Sequence, residues 1–487
     1  MVLGINIIIG IYTIYLVYNN IYSTTYIHKY IGRVLPIHIV LRKYALLITI
    51  IIYYIVLLWW YMYDSSIVGY QILGTIYSIV VGIDSISLYY IILLAILLPI
   101  TILASWNTKY VSSNMYYVIL VGIGILLLLN FICIDILSFY ILFESTLIPL
   151  FILIGMYGSI YKYRAAYYIL LYTLGNSLFM LLSICISTYI LHSTSYYIYS
   201  EYVLSIDIQI LLFLGVFIGI MVKTPIYPLH IWLPVVHSES PLGGSILLAG
   251  LILKLTIYLI VRWVLPFYSE ASILYTPAIY ILAIITIIII SMITIVQVDL
   301  KIIIAYSSIS HMAVCILGIF SNTLIGIEGS YILSIAHGFV SPALFICVGG
   351  ILYDRYHTRI VYYYSGILSI MPTFALYFIL LSFANIGTPL SINFIGEFLS
   401  MYGAFTNNTI LATIATISIL LSATYQLKLT NRITGGTPLY ISSIGDITHR
   451  ESLILITIIL CTLLLGIYPH TLLSQLYIQI SSILYIL

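Results

Sequence analysis

The chain has 487 residues, of which 63% are hydrophobic and 6% charged, with a net charge of +2 and a mean hydropathy of +1.20. Soluble domains carry about a quarter charged residues, so these values exclude a water-soluble fold and indicate an all-α polytopic membrane protein. No basic run suited to a phosphate backbone occurs, and no GxxxxGK or GxGxxG sequence, which excludes nucleic-acid binding and a recognisable nucleotide loop.

Cys133, Cys185, Cys315, Cys347 and Cys461 stand singly in apolar runs, a spacing that suits neither an iron–sulfur cluster nor a disulfide framework. The N-terminus reads as a spanning segment without a basic signal region or an Arg-rich presequence. A bias toward Ile and Tyr (49 Tyr) is what an AT-rich genome yields, a compositional hint toward a mitochondrial gene.

Apolar runs measured against the roughly 20 residues needed to cross a bilayer predict fourteen spans. They begin near Leu3, Arg42, Ser85, Met115, Ile136, Ala166, Ile208, Gly243, Ile273, Lys301, Ser330, Gly366, Thr409 and Ser452. Alternating the spans assigns Lys29, Arg33, Arg42, Lys43, Lys109, Lys162, Arg164, Lys301, Arg355, Arg359, Lys428, Arg432 and Arg450 to one side. The other side receives Asp64, Asp84, Asp135, Glu201, Asp207, Glu270 and Glu328, with Arg262 its only base. A miscounted helix would scramble this division, so both termini are expected on the acidic, outer side.

The seventh span opens MVKTPIYPLHIWLPVVHSESPLGGS from Met221, where Pro225, Pro228 and Pro234 forbid an unbroken helix. Loosened backbone in a membrane survives only where protein or internal water satisfies it, so this segment is expected to face a hydrated interior. A second break occurs in FANIGTPLSINFIGEF, Phe383 to Phe398, at Pro389. Thr224-Pro225 and Thr388-Pro389 hold like positions five spans apart, and paired interruptions of this kind point to inverted repeats. The expected organisation is residues 1–110 as helices one to three, 111–265 as a first five-helix repeat, 266–432 as a second, and 433–487 as helix fourteen and a tail.

Four ionisable residues lie deep in apolar runs: Glu144, Lys223, Lys254 and Glu397. Each costs about 2.5 to 3.5 kcal/mol at a bilayer centre if unpaired, which implies partners, and two acids with two bases suit neutralising pairs. Desolvation disfavours the charged form of each, so such groups can exchange protons near neutral pH. His230, His237, His311 and His337 add imidazoles, and Thr224, Ser307, Ser308, Ser310 and Ser334 can hold water along a polar midplane line. For Glu144 a structural clamp between helices is the alternative, and for His311 or His337 a packing histidine. His230, His237 and Glu239 invite a zinc reading, but too few ligands converge and no metal is expected. Asp299 and Lys301 are expected as a solvated interfacial ion pair.

At these residues the chain resembles a known family. The seventh-span motif, LILKL around Lys254, QVDLKIIIAYSSISHM and LFESTLIPL are similar to the antiporter-like subunits of mitochondrial NADH:ubiquinone oxidoreductase, respiratory complex I, over Asp84 to Ile467. Glu397, where related subunits carry lysine, and the lack of a long lateral helix resemble the subunit 4 branch. Pro228 stands where a glycine is expected, and SES replaces a more usual VEA beside His237. The resemblance implies proton translocation through Glu144, Lys223, Lys254, His311, His337 and Glu397. His230, His237, Thr224, Ser308, Ser310, Pro225 and Pro389 would support them. It further implies no cofactor in this chain, with FMN, iron–sulfur clusters and ubiquinone on other subunits of the complex. Expected partners are those subunits and membrane lipids, in the mitochondrial inner membrane. A sodium/proton antiporter subunit of a bacterial-type assembly is the alternative reading.

Overall fold

The computed structural model describes residues 37–76, 79–106, 113–437 and 445–486. The span expected near Leu3, and with it Lys29, Arg33 and Lys109, lies outside the described residues. Because hydrocarbon offers no partner to a backbone amide, the apolar runs close their hydrogen bonds internally as helices. Among the described residues, 12 helices are long and apolar enough to cross a membrane.

In chain order, α1 spans Ile37–Met62, α2 Ser85–Ala104, α3 Ser113–Ile132, α4 Ile136–Tyr157, α5 Lys162–Leu191 and α6 Ile206–Lys223. The short α7, Trp232–Glu239, completes the broken seventh span. Then follow α8 Leu242–Phe267, α9 Ser269–Val296, α10 Leu300–Ile319 and α11 Leu324–Tyr356. The twelfth expected span is two shorter helices, α12 Pro372–Ile386 and α13 Ile392–Asn407, joined through Gly387 at φ 82°. After α14, Thr409–Thr434, and α15, His449–Ile467, the tail forms α16, His470–Ile486. The tail helix is tied down by Tyr89, which donates to Gln475 Oε1 at 2.6 Å, and by Gln479 Oε1, which accepts from Gly69 N at 3.2 Å.

One element departs from the all-α expectation. Gln71–Ile76 (β1) and Ile79–Ile83 (β2) pair as an antiparallel hairpin. Its Ile- and Val-rich strands read as part of the hydropathic background, which hides a strand in so apolar a chain.

The core is the trio α8, α10 and α11, whose most apolar windows are 100%, 89% and 94% buried against 28–33% for α1, α5, α14 and α15. Lys254, His311 and His337 therefore sit on helices shielded from lipid. Small residues let backbones meet there: a Cβ on Gly396 of α13 would lie 2.6 Å from Leu333 Cα on α11. Helix α8 carries π-helical turns at Leu248–Ile252 and Ile260–Val264, and α11 one at Ile346–Leu352.

Four expected loop charges are instead buried. Arg262 and Asp84 form an ion pair at 3.0 Å, with side chains 1% and 0% exposed. The guanidinium also donates from Nε to Tyr70 OH and lies between the rings of Tyr70 and Tyr196, tying β1 to α8. Glu328 is buried at the start of α11. Lys301 is not a solvated partner of Asp299: it is buried and donates to Ser240 O at 3.0 Å, while Asp299 caps the Lys301 backbone N–H. A hydropathy window places charges at span ends but cannot tell which of those ends are roofed by other elements.

Candidate functional site

Glu144 lies where α4 is interrupted: the backbone turns at Thr146, and Ser145 and Thr146 bond back to Leu142 O and Phe143 O. Lys223 is the last residue of α6, because Pro225 cannot continue the helix. The loosened turn is held by Thr224 Oγ1 donating to Ile220 O and by Trp232 Nε1 donating to Val222 O, both at 2.8 Å. This stop leaves the Lys223 ammonium free to reach across to α4. It donates to Glu144 Oε1 at 2.7 Å and sits 3.2 Å from the centre of the Phe143 ring.

Lys254 is fully buried in α8 and, among the described residues, has no carboxylate partner. Its Nζ donates to Ala249 O at 2.5 Å, a carbonyl within the first π-helical turn, where the regular ladder is loosened. The same Nζ lies 2.7 Å from His337 Nδ1. A protonated lysine makes that ring nitrogen an acceptor, so the imidazole proton sits on Nε2, pointing onward. The His337 and His311 ring centres are 5.8 Å apart, and His311 Nδ1 meets Glu397 Oε1 at 3.1 Å. Among the described residues neither Nε2 has a partner, although both are buried, and such orphaned polar atoms fit ordered water between them.

The break in the twelfth span opens room for Glu397. A Cβ on Gly387 would lie 2.6 Å from Glu397 Oε2, so the positive-φ glycine lets the chain pass beside the carboxylate. A cavity of about 10 Å³, near the size needed for one water, adjoins His311 and Glu397 and is lined by Ser291, Ser310, Ser418, Ser422 and Tyr425.

The six residues thus fall into two groups. Glu144 and Lys223 form one; Lys254, His337, His311 and Glu397 form a continuous file. Two acid–base pairs of glutamate with lysine were expected, and only the first forms, because Glu397 takes a histidine instead. In the chain between Lys223 and Lys254 stand His230, stacked on Tyr227, and His237, stacked on Phe345 with 4.6 Å between ring centres. Both His237 nitrogens are buried without a partner among the described residues. Ser308 bonds Ile304 O and contacts Ser341, so it braces α10 against α11 and stands outside the file. Pro225 and Pro389 sit at the two breaks. Residues missed in sequence are Asp84 with Arg262, and Lys301; a lone base in the apolar run VRWVLPF was the available signal for the first.

A family profile described as NADH:quinone oxidoreductase/Mrp antiporter, TM, matches residues 133–422. NADH-ubiquinone oxidoreductase chain 4 of Yarrowia lipolytica is 54% identical over 407 residues, covering 83% of this chain and 84% of that one. The protein of the same name in Candida albicans is 56% identical over 405 residues, covering 83% and 86%. A chain in the structure of respiratory complex I from Thermus thermophilus with bound NADH matches with a TM-score of 0.85 at 25% identity, over 93% of this chain and 95% of its own. The chain belongs to the NADH-ubiquinone oxidoreductase chain 4 family, antiporter-like membrane-arm subunits of the proton-translocating respiratory complex I.

Proposed function

We propose that this chain carries protons across the mitochondrial inner membrane through Glu144, Lys223, Lys254, His337, His311 and Glu397, driven by electron transfer from NADH to ubiquinone on neighbouring subunits. The observation that carries the reading is the buried file from Lys254 to Glu397, in which each contact joins groups able to exchange a proton. Displacing Glu144 removes the charge that holds the Lys223 proton. At 2.7 Å and an effective dielectric of about 20 that attraction is ~6 kcal/mol, against ~2.3 kcal/mol to move one charge through 100 mV. Breaking one pair is therefore large enough to drive one proton. The proton passes by water and histidine to Lys254, and Glu397 releases it toward the outer side.

In this reading the basic end of the helices faces the matrix and both termini face the intermembrane space. The fourteen spans include two inverted five-helix repeats, residues 111–265 and 266–432, each with one broken helix. FMN, iron–sulfur clusters and quinone lie on other subunits. The gene is mitochondrial.

The test uses sealed membrane vesicles carrying Glu144→Gln, with NADH oxidation by ubiquinone and internal acidification followed together. Both should collapse while the complex stays assembled. Wild-type rates of both would make Glu144 a packing residue and remove the axis.

A further inference from the structure

The mechanism above carries the Lys223 proton to Lys254 and outward but names no group that takes protons up at the basic end. At that end a cavity of about 580 Å³ is bounded by the Gly158–Ser159 turn, the end of α7, the start of α10 and the end of α11. Its polar lining includes Glu239, Ser240, Lys301, Asp354, His357 and Arg359. Asp354 and His357 are exposed, whereas Lys301 is 3% exposed. The cavity thus runs from open solvent to a buried amine.

Lys301 is placed there by specific contacts. Its Nζ donates to Ser240 O at 3.0 Å, and its stem crosses α11 at Gly349, where a Cβ would come within 2.8 Å of Lys301 Cε. Gly349 belongs to the π-helical turn Ile346–Leu352. Among the described residues no carboxylate lies within ion-pair distance of this ammonium. Asp299 is engaged by the Lys301 backbone N–H, and Glu239 by Ser159 Oγ at 2.7 Å and Tyr161 N at 2.9 Å. Arg359 is committed to Ser238 O at 2.5 Å and, as an arginine, cannot give up a proton. On the far side, His237 stands three residues before Ser240, and among the described residues neither of its buried ring nitrogens has a hydrogen-bond partner.

We infer that Lys301 is the uptake lysine of this chain, taking protons from water in the basic-end cavity and passing them inward by His237 to the lysines of the path. In each turnover a hydronium O–H bond breaks as the neutral Lys301 amine gains N–H. The ammonium then returns a proton through water to one His237 ring nitrogen, and His237 gives one from its other nitrogen, through water, to the lysine amine left neutral by the previous transfer. No charge or electron is left over. A lone buried lysine suits this work because no carboxylate traps its proton, while the Ser240 carbonyl holds the charged form long enough to form.

This inference rests on the proton-carrying role proposed above, and the experiment separates the two. Lys301→Arg keeps a cation able to reach Ser240 O but cannot release a proton. The assembled variant should lose NADH:ubiquinone turnover and vesicle acidification at least tenfold, whereas a purely structural cation predicts rescue by arginine. Lys301→Arg at wild-type rates, with Glu144→Gln inactive, overturns the uptake role alone; an active Glu144→Gln overturns the reading beneath it. Should Lys301→Arg fail to assemble, Asp354→Cys at the exposed mouth decides. Labelling it with a bulky maleimide from the matrix side should cut turnover relative to the unlabelled variant, and equal turnover before and after labelling refutes the route.

Discussion

Replacing Lys254 by methionine separates a proton carrier from a scaffold. Burying a charged lysine at the centre of a span costs about 2.5 to 3.5 kcal/mol. Hydrogen bonds to a charged group return about 1.5 to 3 kcal/mol each, and Lys254 makes two, to Ala249 O and His337 Nδ1. Methionine forfeits both but removes the charge, and it fills the same slot with an unbranched, adaptable chain. At mid-range values gain and loss cancel to within about 2 kcal/mol, so Lys254→Met should leave the complex assembled at near wild-type amounts on a native gel. Pumping should nevertheless vanish, because the file then lacks a titratable group between His237 and His337. Vesicle acidification per NADH oxidised reads this directly, and Lys254→Arg, charged but unable to release a proton, should fail in the same way. Normal acidification by assembled Lys254→Met would refute the file as a conduction path.

Two further expectations concern the frame that holds the file. Asp84→Asn leaves Arg262 buried without its counter-ion, a change that costs about 3 to 5 kcal/mol. It should lower the thermal stability of the complex, while the double variant Asp84→Asn with Arg262→Met recovers much of the loss; an unshifted melting temperature for the single variant would contradict the pairing. Gly396→Val pushes a branched side chain against the Leu333 backbone, an overpacking worth at least ~1–3 kcal/mol. It should deplete the assembled complex on a native gel, and full assembly would show that α11 and α13 are not locked together.

The chain's own covalent neighbourhood determined a good deal. Hydropathy acts over about twenty consecutive residues, and so the spans from Ser85 to Ile319 were readable at their true places. Proline removes a donor wherever it stands, so the breaks at Pro225 and Pro389 were also local facts. Which ionisable residues lie inside the spans was legible for the same reason: Glu144, Lys223, Lys254 and Glu397 are conspicuous because lipid tolerates no idle charge.

Partnership was not local. Lys223 meets Glu144 across 79 residues and Lys254 meets His337 across 83, and neither separation leaves a mark in composition. Pairing two glutamates with two lysines satisfied charge balance equally well, and only the packing of α10 against α13 decided that Glu397 faces His311. The same holds for Arg262, which reaches Tyr70 across 192 residues, and for Lys301, whose position at a span end reads as solvated until α11 and the end of α7 are laid over it. A charge at the edge of an apolar run is equally compatible with water and with a roofed cavity. Tertiary packing decides between them, because burial depends on neighbours that arrive from elsewhere in the chain.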